Sequence, residues 1–519
     1  MPSRTVRLTR IALIALLLPA VAAAAGVPPK TDPPLTPVEK VLQRRLGQIL
    51  RGPGFQHGFW GVYVYDASRR RVLFDHNGER WFTPASNAKL FTLATALSLL
   101  GSNFRFHTVV QSTAAPDAQG VIAGNVVLVG AGDPSLSGRS YPYEVPPPEP
   151  ALPYDPSAIP LLLARSLAGR GVTQIKGNIV GDDSYFTDDP YPVGWAIDDM
   201  LWDYGAPVSA LTLNDNTRFL QIYPGPRPGA LPRLVWTPAL NPPATENLIR
   251  TGAAGSATRV DLNLDPATGA LRLTGMMALD NPGVLEALAV RHPALYAGQL
   301  LKQALEAQGI KVEGKVIACH SNCLSGPPYQ LTAWQSPPLA EIEQVTAKVS
   351  QNLEAELLLR VLGKLLGNSA SPAHDPSPDA ETRAGEAVVH GFLYQAGLNA
   401  TDTALIDGSG LARSDLVTPA GIVRLLLYMD RGQEAKAWHA LLPVAGEDGT
   451  LQHRFLHEAA TGRLDAKTGS LSHVNSLSGY VQAREGDTLV FSILSNNVNR
   501  PNAAVRKQID QIANLLAAW

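Results

Sequence analysis

The chain is poor in charge and has no block of like charges. Charged residues make up 17% of its 519 residues, and its formal net charge is -2. This composition gives no reason to expect nucleic acid as a partner, and any anionic partner needs a specific site. The length predicts about three domains.

Cysteine is almost absent. The only two, Cys319 and Cys323, lie in the run Cys319-His320-Ser321-Asn322-Cys323. In an exported protein this spacing first indicates a local disulfide. A metal site that also uses His320 is the alternative, but structural zinc needs about four ligands and the run offers fewer. We therefore predict neither a metal nor a cofactor.

Long apolar runs are missing except at the N-terminus. Arg4, Arg7 and Arg10 precede the apolar run 11–20, and the small residues 21–26 follow it. The run is short for a membrane span of about 20 residues, so the layout predicts a secretory signal peptide at 1–25 rather than a membrane anchor. We expect a periplasmic mature protein.

A serine and a lysine that can share one helix face stand early in the chain. Thr83 is the predicted N-cap and Pro84 the predicted first residue of a helix that ends at Gly101. Residues three positions apart on a helix are neighbours, so Ser86 and Lys89 should meet. The residues that follow are apolar on nearly all sides, which predicts a buried helix and a dry environment for Lys89.

Two more polar motifs follow far along the chain. Ser350-Gln351-Asn352 precedes a predicted helix at 353–366, and Lys467-Thr468-Gly469 lies on a predicted strand. Alone, the first can be a helix N-cap and the second an exposed strand end. In this order, after Ser86 and Lys89, they resemble the penicillin-binding protein and serine β-lactamase superfamily.

The long interval between Ser86 and Ser350 narrows the resemblance, because a compact β-lactamase has no room for it. The chain resembles the D-alanyl-D-alanine carboxypeptidase/endopeptidase family related to penicillin-binding protein 4, in which extra domains interrupt the catalytic domain. Three further segments agree with that family, whereas Gln351 stands where the family often has aspartate. The segments are 130–136, 407–411 and 442–451.

The resemblance implies an α/β (α+β) fold. It is a β-lactamase/transpeptidase-like domain with an antiparallel five-stranded sheet flanked by helices, and β-rich inserted domains interrupt it. We expect the first catalytic part at 26–102 and the second at 334–519. The insertion then covers 103–333, with a nested subdomain near 190–282.

Two stretches inside the insertion carry their own predictions. The proline-rich run 141–160 reads as an extended surface segment. Helical periodicity over 284–308 predicts a helix.

The resemblance also implies roles for the catalytic candidates. Ser86 attacks the carbonyl of a D-Ala-D-Ala bond, and Lys89 takes its proton. Burial and the neighbouring cation Lys467 are both expected to lower the pKa of Lys89. Ser350 relays a proton to the leaving group, and Asn352 holds the substrate or Lys89.

The substrate-binding candidates lie mostly on the predicted strand. Lys467 and Thr468 are expected to receive a terminal carboxylate, and Gly469 lets the backbone approach the substrate. The N–H groups of Ser86 and Leu471 are the expected oxyanion hole. One acid of the insertion, Asp182 or its neighbour Asp183, is expected to bind the amino group of a diaminopimelate side chain. The full set is Lys467, Thr468, Gly469, Ser470, Leu471, Asp182 and Arg413.

The expected activity is that of an exported serine D-alanyl-D-alanine carboxypeptidase/endopeptidase. It acts on peptidoglycan peptides through an acyl-enzyme on Ser86, and β-lactam antibiotics inhibit it. No Glu-x-x-Leu-Asn segment occurs, so we do not expect efficient antibiotic hydrolysis. A β-lactamase or esterase on the same domain and a catalytically idle cell-wall-binding protein are the alternatives. Peripheral membrane contact and homodimerisation stay open.

Overall fold

The computed structural model describes residues 34–52, 57–148, 151–265, 267–324, 326–367, 377 and 379–519. The predicted signal peptide at 1–25 lies outside these residues.

The helices follow the apolar periodicity of the sequence. Within the described residues they are α1 Pro37–Leu50, α2 Lys89–Leu100, α3 Ala158–Gly169, α4 Pro293–Ala307, α5 Leu339–Lys348, α6 Asn352–Leu366, α7 Ala380–Gln395, α8 Pro419–Asp430, α9 Ala435–Leu441 and α10 Asn502–Ala517.

The strands fall into three stretches of the chain. The first stretch holds β1 Phe59–Asp66, β2 Arg71–His76, β3 His107–Ser112, β4 Val121–Ile122, β5 Val126–Val129, β6 Gln174–Ile175 and β7 Ile179–Asp182. The second holds β8 Thr217–Tyr223, β9 Arg233–Thr237, β10 Thr245–Asn247, β11 Arg250–Gly252, β12 Arg259–Leu264, β13 Leu271–Ala278, β14 Val284–Ala289, β15 Lys311–Val312, β16 Val316–Cys319 and β17 Tyr329–Gln335. The third holds β18 Thr403–Ala404, β19 Leu416–Val417, β20 Leu464–Leu471, β21 Val474–Gln482 and β22 Thr488–Asn496.

One antiparallel sheet joins early and late parts of the chain. Its strand order is β2-β1-β22-β21-β20, so β1 pairs with β22 although most of the chain separates them. Alternate residues of β22 face two different cores. Val490 and Leu494 pack with α2 and α8, while Phe491 and Ile493 pack with α1 and α10. The predicted five-stranded antiparallel sheet flanked by helices is confirmed.

Helix α1 begins where its sequence predicts. Thr36 accepts the N–H of Glu39, and the Glu39 carboxylate accepts the N–H of Thr36, which makes a capping box. The buried face of α1 then presents Leu42 and Leu46 to the core beside α10. This end of the chain therefore closes the side of the sheet opposite α2.

Residues between α2 and α5 form several further sheets. The largest has the order β16-β7-β5-β3-β17, and β14-β8-β9 and β10-β13-β11 follow it, with β12 paired to β13. Helix α4 lies against β7 and β16. This part of the chain is β-rich, in agreement with the expected fold class.

Two local predictions inside this part are wrong. The stretch 284–308 is not one helix, because β14 occupies its start and α4 begins only at Pro293. The run 141–160 is not wholly an extended surface segment. Tyr154 is buried, its hydroxyl donates to the Asn214 carbonyl at 3.1 Å, and α3 begins at Ala158. Packing of the Tyr154 ring against the neighbouring Phe219 explains the difference.

Cys319 and Cys323 form a disulfide. Their sulfur atoms are bonded to each other, so they are not available as thiolate ligands for a metal. The predicted local disulfide between Cys319 and Cys323 is therefore confirmed.

Candidate active site

Ser86 lies in a short 3₁₀ turn and not in the first turn of an α-helix. The turn covers Ala85–Ala88, and α2 begins only at Lys89. Ala85 has a φ of 50°, a left-handed conformation that interrupts helical geometry just before the serine. The predicted N-cap role of Thr83 is therefore wrong. Its N–H donates to Asn496 Oδ1 instead.

Lys89 is fully buried and forms hydrogen bonds with three oxygen atoms. Its Nζ donates to Ser86 Oγ at 3.0 Å, to Asn352 Oδ1 at 2.5 Å and to the Ser409 carbonyl at 2.7 Å. Two of these acceptors are candidates from the sequence. The Ser409 carbonyl is not, because a backbone acceptor leaves no mark in the residue types.

Ser350 and Lys467 form a second serine–lysine pair. Lys467 Nζ donates to Ser350 Oγ at 2.7 Å and to the Thr468 carbonyl at 2.9 Å, and its side chain is fully buried. Ser350 has a φ of 61°, which is uncommon for a residue with a side chain. This conformation lies in the tight junction between α5 and α6, directly before the helix that begins with Asn352.

The three motifs meet at one place. Asn87 Nδ2 donates to the Lys467 carbonyl at 2.9 Å, so the serine turn is bonded to strand β20. Gly469 approaches the same turn so closely that a Cβ there would lie 2.9 Å from the Ser86 nitrogen. A larger residue at Gly469 would therefore push the strand away from Ser86.

Burial sets the protonation chemistry of Lys89. Desolvation lowers the pKa of Lys89 to about 8, while nearby carboxylates, chiefly Asp407 and Glu356, oppose part of that shift. A lysine with this pKa is neutral in an appreciable fraction of molecules near neutral pH. Lys89 can therefore accept the proton of Ser86 Oγ.

Lys467 is also buried, but among the described residues no carboxylate opposes the effect of burial on its pKa. Desolvation lowers the pKa of Lys467 well below its usual value, and the positive charge of Lys89 lowers it further. A negatively charged substrate group beside Lys467 would favour its cationic form.

Carboxylates lie behind Lys89, inside the protein. Burial raises the pKa of Glu354 and that of Glu356 to about 8. The Asp407 carboxylate accepts the N–H groups of Ser409, Gly410 and Ala412 at 3.1, 2.6 and 2.8 Å. Asp407 thus fixes the loop whose Ser409 carbonyl holds Lys89. In the sequence, this loop stood out only as the segment 407–411 that agrees with the family pattern.

The inserted part of the chain reaches this site. Asn352 Nδ2 donates to the Tyr204 carbonyl at 2.8 Å, and Trp195 Nε1 donates to Asp407 Oδ2 at 3.0 Å. Both partners come from the segment between β7 and β8. Sequence reasoning missed them, because no spacing links them to the three motifs.

The remaining candidates of the strand lie around the cleft rim. Thr468 Oγ1 donates to Thr450 Oγ1 at 2.8 Å, and Ser470 Oγ donates to Asn475 Oδ1 at 3.3 Å. Arg413 is exposed and donates to the Ser472 carbonyl at 3.2 Å. The hydroxyl of Thr450 was absent from the predicted set.

Leu471 lies on β20 of the sheet that carries Lys467, whereas Asp182 lies on β7 in the insertion. Leu471 ends β20 on the same strand as Gly469. Asp182 ends β7, where its carboxylate accepts the N–H of Ser184 at 2.9 Å, and β7 lies between β5 and β16. The hydrogen bonds that the structure describes for Asp182 stay within the insertion. Binding of a substrate amino group by Asp182 stays a prediction.

The chain matches the family model described as the D-Ala-D-Ala carboxypeptidase 3 (S13) family over residues 42–519. It is 32% identical over 479 residues to a D-alanyl-D-alanine carboxypeptidase from Actinomadura sp. strain R39, covering 89% of this chain and 82% of that one.

Two solved structures share its fold, at identities too low to carry more than the fold. One is penicillin binding protein 4 from Haemophilus influenzae, with a TM-score of 0.74, 24% identity and coverage of 92% of this chain and 99% of that chain. The other is the same protein complexed with a β-lactam, with a TM-score of 0.67, 22% identity and coverage of 91% and 98%.

Proposed function

The chain belongs to the D-Ala-D-Ala carboxypeptidase 3 (S13) family and is a serine-type D-Ala-D-Ala carboxypeptidase, and we propose that it forms its acyl-enzyme on Ser86. The observation that carries this assignment is the 3.0 Å hydrogen bond between Lys89 Nζ and Ser86 Oγ at a lysine whose pKa is lowered to about 8. A serine hydroxyl becomes an effective nucleophile only beside such a base.

In the proposed reaction, neutral Lys89 removes the proton of Ser86 as Oγ attacks the carbonyl carbon of the D-Ala-D-Ala bond. The resulting tetrahedral oxyanion is bound by the N–H groups of Ser86 and Leu471. Asn352 keeps Lys89 oriented, because its amide spans Lys89 Nζ and the Tyr204 carbonyl. Collapse of the intermediate breaks the C–N bond and expels the terminal D-alanine, whose amine takes up the proton that Lys89 removed, with the Ser350 hydroxyl as the relay. Water then hydrolyses the acyl-enzyme.

The substrate's terminal carboxylate is proposed to bind at Lys467, Thr468 and Ser470. Among the described residues, the hydrogen-bond partners of Lys467 Nζ are neutral, namely Ser350 Oγ and the Thr468 carbonyl. A carboxylate beside it would offset the cost of burying the ammonium group. Arg413 on the rim adds a positive charge that draws anionic peptides toward the cleft.

The proposed substrates are peptidoglycan stem peptides and the peptide bonds of cross-links, and β-lactams are the proposed inhibitors. We propose a periplasmic location, which the arginine-flanked apolar run at the N-terminus supports. In the described part of the chain, no helix has the length and apolarity needed to cross a bilayer.

The decisive experiment is mass spectrometry of the protein after treatment with benzylpenicillin. We expect one covalent adduct in the native sequence and in Ser98→Ala, a matched change on the helix α2 that follows the serine turn. We expect none in Ser86→Ala. An adduct that survives Ser86→Ala contradicts the assigned nucleophile, and nitrocefin turnover much faster than hydrolysis of a D-Ala-D-Ala peptide favours a β-lactamase.

A further inference from the structure

A second cleft lies between two inserted sheets, away from Ser86. It has a volume of about 370 Å³, within the usual range of small-molecule sites. Its walls come from β8 and β9, from the loop that follows β9, and from the first turns of α4. One side is apolar and includes Leu264, Leu288 and Leu295.

The charged side chains among the described residues that line this cleft are positive. They are Arg218 and Arg291, with His292 beside them, and there is no Asp or Glu among the described lining residues. Arg291 is exposed and has no hydrogen-bond or ion-pair partner within the described part of the chain. The first turn of α4, which follows His292, contains no acid either. The cleft therefore attracts anions.

Arg218 is the most constrained of these cations. Its guanidinium donates to the carbonyls of Pro238, Leu240 and Asn241 at 3.0–3.1 Å and lies 5.0 Å from the centre of the Trp236 ring. Arg218 Nε is buried and has no hydrogen-bond partner among the described residues. Burial lowers the pKa of Arg218, and the opposing influence within the described part of the chain comes from Tyr296 rather than from a carboxylate. An anion in the cleft would compensate this charge.

We propose that this cleft binds the free carboxylates of a peptidoglycan stem peptide as a site separate from the catalytic centre. The arginine side chains bind the carboxylates, and the apolar side of the cleft, together with Trp236, packs against the aliphatic parts of the peptide. That the bound peptide comes from peptidoglycan rests on the proposed function. The presence of an anion site rests only on the residues that line the cleft.

The cleft and the catalytic centre share one short segment. Leu201 lines the cleft, and the Tyr204 carbonyl holds Asn352. Three residues of extended chain span at most about 11 Å, so the two sites are near neighbours. Trp202 is bridged to Leu288 of β14, which anchors the segment to the cleft wall. One cross-linked peptide can therefore contact both sites.

The test uses the full chain with Ser86 blocked by benzylpenicillin, so that the catalytic centre cannot bind the probe. The probe is the tripeptide L-Ala-γ-D-Glu-L-Lys, compared with its form in which both carboxylates are amides, and binding is measured by calorimetry. We expect the acid form to bind and the amidated form not to bind. We expect Arg291→Gln to weaken binding about tenfold, the effect of one charged hydrogen bond.

Gln299→Glu tests the same cleft without removing a structural contact. Gln299 lines the cleft on α4, and a carboxylate there should abolish binding of the acid form. Arg259→Gln, an exposed arginine of β12 outside the cleft, is the matched control and should leave binding unchanged.

Three results overturn the proposal: equal binding of the amidated probe, unchanged affinity in both cleft variants, or complete displacement by phosphate at equal concentration, which would mean a site for inorganic anions only. Failure of benzylpenicillin to acylate the chain contradicts the proposed function instead. In that case, binding of the tripeptide to the untreated chain, to Arg291→Gln and to Gln299→Glu still tests whether the cleft binds carboxylates.

Discussion

The proposed catalytic cleft contains two serine–lysine pairs, each with a buried lysine and a half-buried serine, whose surroundings differ. Lys89 donates to Ser86 and Lys467 donates to Ser350, and both lysines are fully buried. Carboxylates lie behind Lys89 and hold its pKa at about 8 against a larger effect of burial. Around Lys467, within the described part of the chain, the charge that accompanies burial is the like charge of Lys89, and both lower the pKa of Lys467.

This difference fits the two separate tasks that we propose for the two pairs, proton transfer at Lys89 and carboxylate binding at Lys467. A base must gain and lose a proton near neutral pH, so its pKa must stay close to the working pH. The carboxylates behind Lys89 satisfy this need. A group that receives a carboxylate gains most when no other anion competes for it, and the surroundings of Lys467 fit that role.

Replacing the two lysines gives the largest expected contrast. We expect Lys89→Met to lower kcat for a D-Ala-D-Ala peptide by about 10²–10⁴-fold, the usual loss when a general base is removed. The same change should slow acylation by benzylpenicillin. Lys467→Met should act mainly through a higher KM, because it removes a binding charge and leaves the base in place.

Steady-state kinetics and the rate of adduct formation measure both variants, and thermal unfolding shows that each is folded. If the two variants lose kcat equally while KM stays constant, Lys89 and Lys467 do not have separate catalytic and binding roles, and the proposed difference between the two pairs is wrong.

A smaller effect is expected from the loop behind Lys89. Asp407→Asn removes an acceptor from the N–H groups that shape this loop, so the Ser409 carbonyl moves relative to Lys89 Nζ. Misplacement of a catalytic group by about 1 Å can cost about 10²-fold in rate. We expect kcat to fall by up to that factor with little change in KM.

Asp261→Asn, a change at an exposed carboxylate of β12 in the inserted part of the chain, is the matched control and should leave kcat and the pH–rate profile unchanged. The pH–rate profile separates positioning from folding. In Asp407→Asn the acidic limb should shift, since Asp407 raises the pKa of Lys89. An unchanged profile together with a full loss of activity would mean simple unfolding.

The smallest expected effect concerns stability. Burial raises the pKa of Glu356 from 4.5 to about 8, so the folded protein binds a proton more tightly than the unfolded chain. This contribution to the free energy of unfolding is complete below about pH 4.5 and is lost as the pH rises through about 8. Glu356→Gln, which cannot ionise, should flatten the decline of stability over that window.

Chemical denaturation at several pH values measures this slope. Glu306→Gln, an exposed change on α4, should keep the slope of the native sequence. An equal slope in Glu356→Gln and the native sequence would show that Glu356 does not titrate differently in the folded state.

Much of the catalytic domain could be predicted from local patterns. The end of α2 before Gly101 occurs where predicted, and the capping box at Thr36 and the hairpin at 485–487 likewise depend on neighbours in sequence. The start of α2 could not be predicted in this way. Its position depends on the left-handed turn at Ala85, and Gly410 and Gly469 pack against the backbone of that turn from far along the chain.

The sequence alone determined the chemistry that this protein has available. A serine and a lysine three positions apart, a second serine near an asparagine, and a lysine on a strand beside a glycine are residue types that acyl transfer needs, and their order resembles one family. Short-range geometry is enough to bring Ser86 and Lys89 together, because their separation is nearly one helical turn.

Only the tertiary structure decided the electrostatics of that chemistry. Whether a lysine acts as a base depends on burial and on charges within a few ångströms, and these come from residues hundreds of positions away. Glu356 and Asp407 behind Lys89, their absence around Lys467, and the Tyr204 carbonyl on Asn352 exist only after the chain has folded. The cationic cleft beside α4 arises in the same way, from strands and loops that are distant in sequence.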